Sequence, residues 1–157
     1  MPPARRTRLV VPAASAESRV PAVTPCHCLA VRQAARHVTQ LYDRHLAACG
    51  LRATQYAVLA ALDRDGPLAV NELARHLVMD RTATGRALRP LARAGLVEIG
   101  SGRDARTRAL ALTPEGRARL QAARGPWRAA QAAFEAQYGP DRAEDLRLAL
   151  ARVVGRA

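Results

Sequence analysis

The chain has no lysine: all 25 of its basic residues are arginine. Aromatic residues make up only 3%, which argues against the stacking platforms on which single-strand binders lay out bases. No apolar run approaches the ~18 residues of a membrane span. The opening MPPARRTRLVVPAASAES has too short an apolar stretch for a secretory signal, so a cytoplasmic protein with no membrane partner is expected. Cys26, Cys28 and Cys49 are too few for a disulfide framework and odd in number, which suits thiols in a reducing compartment. What remains is ordinary globular composition, 49% hydrophobic and 24% charged over 157 residues, which excludes disordered and collagen-like chains and fits one folded unit.

Positive charge is what the sequence has in excess. The net charge is +12, and residues 81–128 hold eleven arginines against three acids, whereas residues 129–157 balance to zero. A solvated surface normally interleaves both signs, so a one-signed block points to a polyanionic partner. A general preference for arginine explains the missing lysine but not this clustering.

Residues 1–25, rich in Pro, Ala, Ser and Arg, read as a flexible basic arm before a domain spanning 26–157. Val31, Ala34, Ala35, Val38, Leu41 and Tyr42 recur at helical spacing and predict a long first helix from about Cys26 to Ala48, stopped at Gly50. Thr54 is the expected cap of a second helix carrying Val58, Leu59 and Leu62, ended by DRDGP at 63–67. After a short strand at 68–70, Asn71 is expected to cap a short helix with Leu73 and Leu77, and Asp80 to cap another running to Gly95, bent or loosened at Pro90. Two helices around a tight turn spell helix-turn-helix. Strands at 96–99 and 107–112 around the basic tip GSGRDAR predict a β-hairpin. Thr113 and Pro114 open a helix expected to kink at Gly125-Pro126, and Asp141 is the expected cap of a last helix. The fold class is mainly α with a small hairpin wing, and the DNA-binding lobe falls at about 52–112.

On the helix opened by Asp80, Arg81, Gly85 and Arg89 lie at successive turns with Thr82, Arg86 and Arg93 beside them. Such a face fits a major groove: arginine pairs with guanine edges, threonine reaches bases or thymine methyls, and glycine permits close approach. The candidate DNA-contacting set is Arg81, Thr82, Thr84, Arg86, Arg89, Arg103 and Arg106.

With NELARHLVMDRTATGRALRPLARAGLV at 71–97 and RDARTRALALTPEG at 103–116, the chain resembles the MarR family of winged-helix regulators over about residues 28–154. The resemblance implies that Arg106 of the wing enters the minor groove, that Asp104 supports the wing, and that the protein is a homodimer joined through its first and last two helices on a palindromic operator, usually as a repressor. Gly85 departs from the pattern, in which Thr is common, and removes one implied contact. Independently of the family, Trp127, Phe134, Leu146, Leu150, Val153 and Val154 would lack cover in an isolated winged helix, and a second copy would supply it.

Cys26-His27-Cys28 lies at the entrance of the first helix, where a thiolate gains from the positive helix end. Cys28 stands at about the place of the reactive cysteine in the hydroperoxide-sensing branch of the family. Tyr42 matches one tyrosine that holds it there, while Arg32 replaces the other. Inert thiols, redox sensing through Cys26 and Cys28, and metal binding all stay open at this point, although C-x-C is too short a signature to claim a metal. No cofactor is expected. A small anionic effector, as in many relatives, would draw on His37, Tyr56 and Arg86. The expected activity is sequence-specific binding of double-stranded DNA without catalysis. The alternatives are a nonspecific architectural binder and a cysteine-dependent enzyme, the latter opposed by the absence of a glycine-rich oxyanion loop.

Overall fold

Residues 24–101 and 108–155 are described by a computed structural model; most of the expected arm and the wing tip, with Arg103, Asp104 and Arg106, lie outside these residues. Helix α1 spans His27–Leu46, α2 Ala53–Asp65, α3 Val70–Leu77, α4 Arg81–Arg93, α5 Pro114–Tyr138 and α6 Pro140–Val153. Strands β1 (Leu68–Ala69), β2 (Val97–Ser101) and β3 (Arg108–Leu112) form an antiparallel sheet in the order β1-β3-β2. The register pairs Val97 with Leu112, Ile99 with Leu110, and Leu68 with Leu110. This is a winged helix-turn-helix in which the two-residue strand β1 ties the wing back to the start of α3.

The core lies where α2, α3, α4, the sheet and the first half of α5 meet. Leu46, Leu59, Leu73, Leu91 and Leu110 are fully buried there, with Val58, Leu96 and Leu120 around them. Each such side chain contributes roughly 1.5–3 kcal/mol by leaving water.

Several helix caps come from elsewhere than expected. The second helix begins at Ala53, before Thr54, because Asp43 on α1 reaches across to accept the Ala53 N–H at 2.7 Å while Gln55 accepts that of Arg52 at 2.8 Å. The third begins at Val70, so Asn71 lies inside it, and the Glu72 carboxylate caps it by accepting from Ala69 N–H at 2.8 Å. Gly139 rather than Asp141 is the N-cap of α6, with Pro140 in its first turn. Asp80 caps α4 as expected, accepting from Ala83 N–H at 2.7 Å.

Both internal prolines lie inside helices that continue past them. Helix α4 runs past Pro90 to Arg93. Helix α5 continues for 25 residues through Gly125-Pro126. Proline there deprives the Ala122 carbonyl of its helical donor, and the Cys49 thiol fills the place, donating to that oxygen at 3.6 Å. Cys49 is fixed in turn because Arg119 donates to its carbonyl at 3.2 Å.

Candidate nucleic-acid interface

The turn between α3 and α4 passes through Val78, whose φ of 51° is left-handed, and its N–H reaches back to the Ala74 and Arg75 carbonyls. A β-branched residue in this region is strained. Asp80 then starts α4, and the spacing Thr84, Leu88, Leu91 marks the face that packs inward. Arg81, Thr82, Arg86, Arg89 and Arg93 are all exposed on the rest of the helix. Among the described residues, no ion pair joins any of the four arginines to an acid. Gly85 opens onto empty space.

Thr84 leaves the candidate set. It is 0% exposed, and its hydroxyl donates to the Asp80 carbonyl at 2.8 Å. Its i, i+4, i+7 relation to Leu88 and Leu91 is the signal that places it with the core.

The basic block is also less free than its composition implies. Arg124 and Arg117 both converge on Asp63 of α2, at 3.0 and 3.6 Å, and Arg119 reaches Glu115 at 3.7 Å. The unpaired charge of the described block is concentrated on α4.

Of the sensor candidates, Cys26 is the N-cap of α1: its sulfur accepts from Leu29 N–H at 3.4 Å, and its own N–H donates to Thr24 Oγ1. Cys28 is exposed in the first turn. Tyr42 does not meet Cys28 within the chain. Fourteen residues separate them along α1, about 21 Å at helical rise, and the Tyr42 hydroxyl instead donates to Gln131 Oε1 on α5. Burial, then the neighbouring Glu135, pushes the Tyr42 phenol above its ordinary pKa, against Arg147. Among the described residues no three His, Cys, Asp or Glu side chains gather as a metal site.

A feature that the sequence pattern did not disclose is a cleft of about 380 Å³ between α2 and α5, lined by Tyr56, Asp63, Arg64, Arg124, Trp127 and Arg128 among others. Tyr56 and Trp127 stack across it with centroids 5.7 Å apart and planes 11° from parallel. Trp127, expected to need a second copy for cover, is therefore partly covered by its own chain. Burial raises the Tyr56 phenol above its ordinary pKa, opposed by Arg124 and Arg128. Of His37, Tyr56 and Arg86, only Tyr56 lines this cleft. In a chain so poor in aromatics, Tyr56 and Trp127 are the two residues whose pairing could have drawn attention to the site.

The face left without cover runs along α1 and α6. Every residue from Cys26 to His37 is exposed, and Leu29, Val31, Tyr138, Leu148, Leu150, Val153 and Val154 are exposed large hydrophobics. Among the described residues no helix is long and apolar enough to cross a membrane.

Comparison with known proteins agrees with this architecture. The MarR family profile matches residues 50–107, which hold α3, α4 and the start of the wing. No curated protein sequence matches the chain. Among solved structures, the transcriptional regulator MosR of M. tuberculosis is 34% identical, covering 85% of this chain and 98% of its own, with a TM-score of 0.71. Its complex with DNA aligns at 37% identity over 84% and 99%, with a TM-score of 0.69. A probable transcriptional regulator from Pseudomonas aeruginosa is 29% identical over 82% and 97%, with a TM-score of 0.74. The transcriptional repressor CouR, solved on a 23-mer DNA duplex, is 25% identical over 82% and 92%, with a TM-score of 0.73; it is also solved with p-coumaroyl-CoA. With these relatives, the match of the profile, and a helix-turn-helix followed by a wing, the chain belongs to the MarR family of transcriptional regulators.

Proposed function

We propose that this regulator is a cytoplasmic, non-enzymatic homodimeric repressor that holds a palindromic operator through α4 and the wing and releases it on a chemical signal. The observation that carries the reading is the exposed arginine face of α4, which makes no ion pair among the described residues. Arg86 and Arg89 are assigned to base edges, Arg81 and Thr82 to the first contacts at the helix start, and Arg103 and Arg106 to the wing's grip on the flanking minor groove, with Asp104 supporting it. The uncovered apolar residues of α1 and α6 support a second copy as the partner that hides them.

Two features support a signal. The Tyr56–Trp127 cleft offers an aromatic wall beside Arg128, while Arg64 and Arg124 are engaged by Asp65 and Asp63; it suits a small aromatic effector whose acidic group meets Arg128, and CouR was solved with an aromatic acyl-CoA. Cys26 and Cys28 are exposed at the start of an uncovered helix, which suits an oxidant reading through Cys28.

The test is to enrich a duplex from a randomised pool on the purified protein and to follow its affinity against salt. With roughly 6 to 10 phosphates neutralised per dimer, log K against log salt is expected to slope at about −5 to −9. Failure to enrich any sequence would leave only an architectural binder, and a slope near zero would remove the DNA reading altogether.

A further inference from the structure

The junction where the C-terminal end of α4 meets the N-terminal end of α5 is unusually well tied. Helix α4 ends in a left-handed turn at Gly95, φ 68°, closed by the Gly95 N–H to the Ala92 carbonyl and the Leu96 N–H to the Leu91 carbonyl. The outward-facing Gly95 carbonyl is then taken by the Thr113 hydroxyl at 2.6 Å. Thr113 Oγ1 in turn accepts the Gly116 N–H at 3.0 Å as the N-cap of α5, and Thr113 N–H donates to the Leu96 carbonyl at 3.3 Å. One side chain therefore caps one helix and clasps the end of the other. Contact is so close that a Cβ on Gly116 would overlap the Leu96 carbonyl oxygen and crowd the Leu112 side chain.

We infer that Thr113 is a positioning residue for DNA recognition: its hydroxyl fixes the orientation of α4 relative to α5, and through α5 relative to the second subunit. The inference rests on the reading of α4 as the base-contacting helix. Helix α5 is continuous over its 25 residues, about 37 Å at helical rise. A rotation of about 3° around its far end moves its first turn by about 2 Å, far more than a 2.6 Å hydrogen bond tolerates. Because that bond ends on the last turn of α4, the arginine face must follow. Removing the hydroxyl leaves the arginines in place chemically but lets α4 sit at a spread of angles, which costs base contacts, all of which need one geometry, before it costs phosphate contacts, which do not.

The experiment compares wild type, Thr113→Val and Thr113→Ser on the duplex enriched from a random pool by the wild-type protein, and on poly(dI-dC), with a thermal melt of each. Thr113→Val is expected to weaken the enriched duplex by about 5- to 30-fold, the weight of one or two kcal/mol, and to leave the poly(dI-dC) affinity and its salt slope unchanged. Thr113→Ser, which keeps the oxygen, is expected to restore discrimination. Retention of full discrimination by Thr113→Val would overturn the inference. So would a parallel fall on both DNAs that tracks a lower melting point, because Thr113 would then be only a cap. If the wild-type protein enriches no duplex, the reading of α4 fails first and takes this inference with it.

Discussion

Thr84 sits among residues assigned here to DNA in sequence and among leucines in space, so its replacement separates the two assignments. Thr84→Val keeps the shape and removes the hydroxyl. The lost hydrogen bond to the Asp80 carbonyl is worth about 1 kcal/mol. That carbonyl is not orphaned, because it still receives the Thr84 N–H at 2.9 Å. The methyl that replaces the oxygen joins a completely buried site and returns about 0.8 kcal/mol. The two terms nearly cancel, and stability is expected to change by less than about 1 kcal/mol, a melting shift within about 4 °C for a domain of this size. Affinity for an enriched duplex is expected to be unchanged. Thr84→Ala, which also empties methyl volume, is expected to cost about 1–2 kcal/mol of stability, again with DNA affinity intact in the folded protein. Thermal melts and competition binding on the same samples check both. A tenfold loss of affinity in Thr84→Val at an unchanged melting point would show that the hydroxyl reaches DNA and that the burial argument is wrong.

Arg86→Ala is expected to weaken an enriched duplex far more than random DNA, whereas Arg106→Ala weakens both; competition by unrelated DNA measures the ratio, and equal losses for Arg86→Ala would remove it as a base reader. Gly85→Ala, which meets only open space, is expected to stabilise α4 by about 0.5–1 kcal/mol in a denaturant titration. A simultaneous loss of operator affinity would mark Gly85 as a point of close backbone approach. Cys49→Ala removes the donor to the Ala122 carbonyl and is expected to destabilise by up to about 1.5 kcal/mol, with Cys49→Ser closer to wild type. Treating wild type and Cys28→Ser with an organic hydroperoxide, then a thiol reductant, is expected to release DNA reversibly from wild type alone; identical behaviour of the two would exclude Cys28 as the sensor.

The periodic pattern carried the fold far because it records which face each helix buries. Val58, Leu59 and Leu62, or Leu88 and Leu91, are spaced as their burial requires. What it could not carry was anything supplied from a distance. Asp43 caps a helix ten residues away, and the Cys49 thiol serves a carbonyl 73 residues away that Pro126 leaves without its helical partner, so neither partner can be read from the local sequence. The arginine face was legible from spacing alone, except that Thr84 was grouped by its chemistry rather than by its place in the repeat. The α2–α5 cleft was not legible, since Tyr56 and Trp127 come together only through the packing of two helices.

Val78 gives the helix-turn-helix a mechanical character of its own. Valine held at φ 51° costs of order 1–3 kcal/mol, and this side chain recovers little by burial because it is 63% exposed. The turn that sets the angle between α3 and α4 is thus a loaded spring, kept bent by the shared core of Leu73 on α3 with Leu88 and Leu91 on α4 rather than by its own preference. Glycine or asparagine at this position would relax the spring, raising the stability of the native chain while softening the joint between the two helices. Stability and stiffness would then move in opposite directions at one residue.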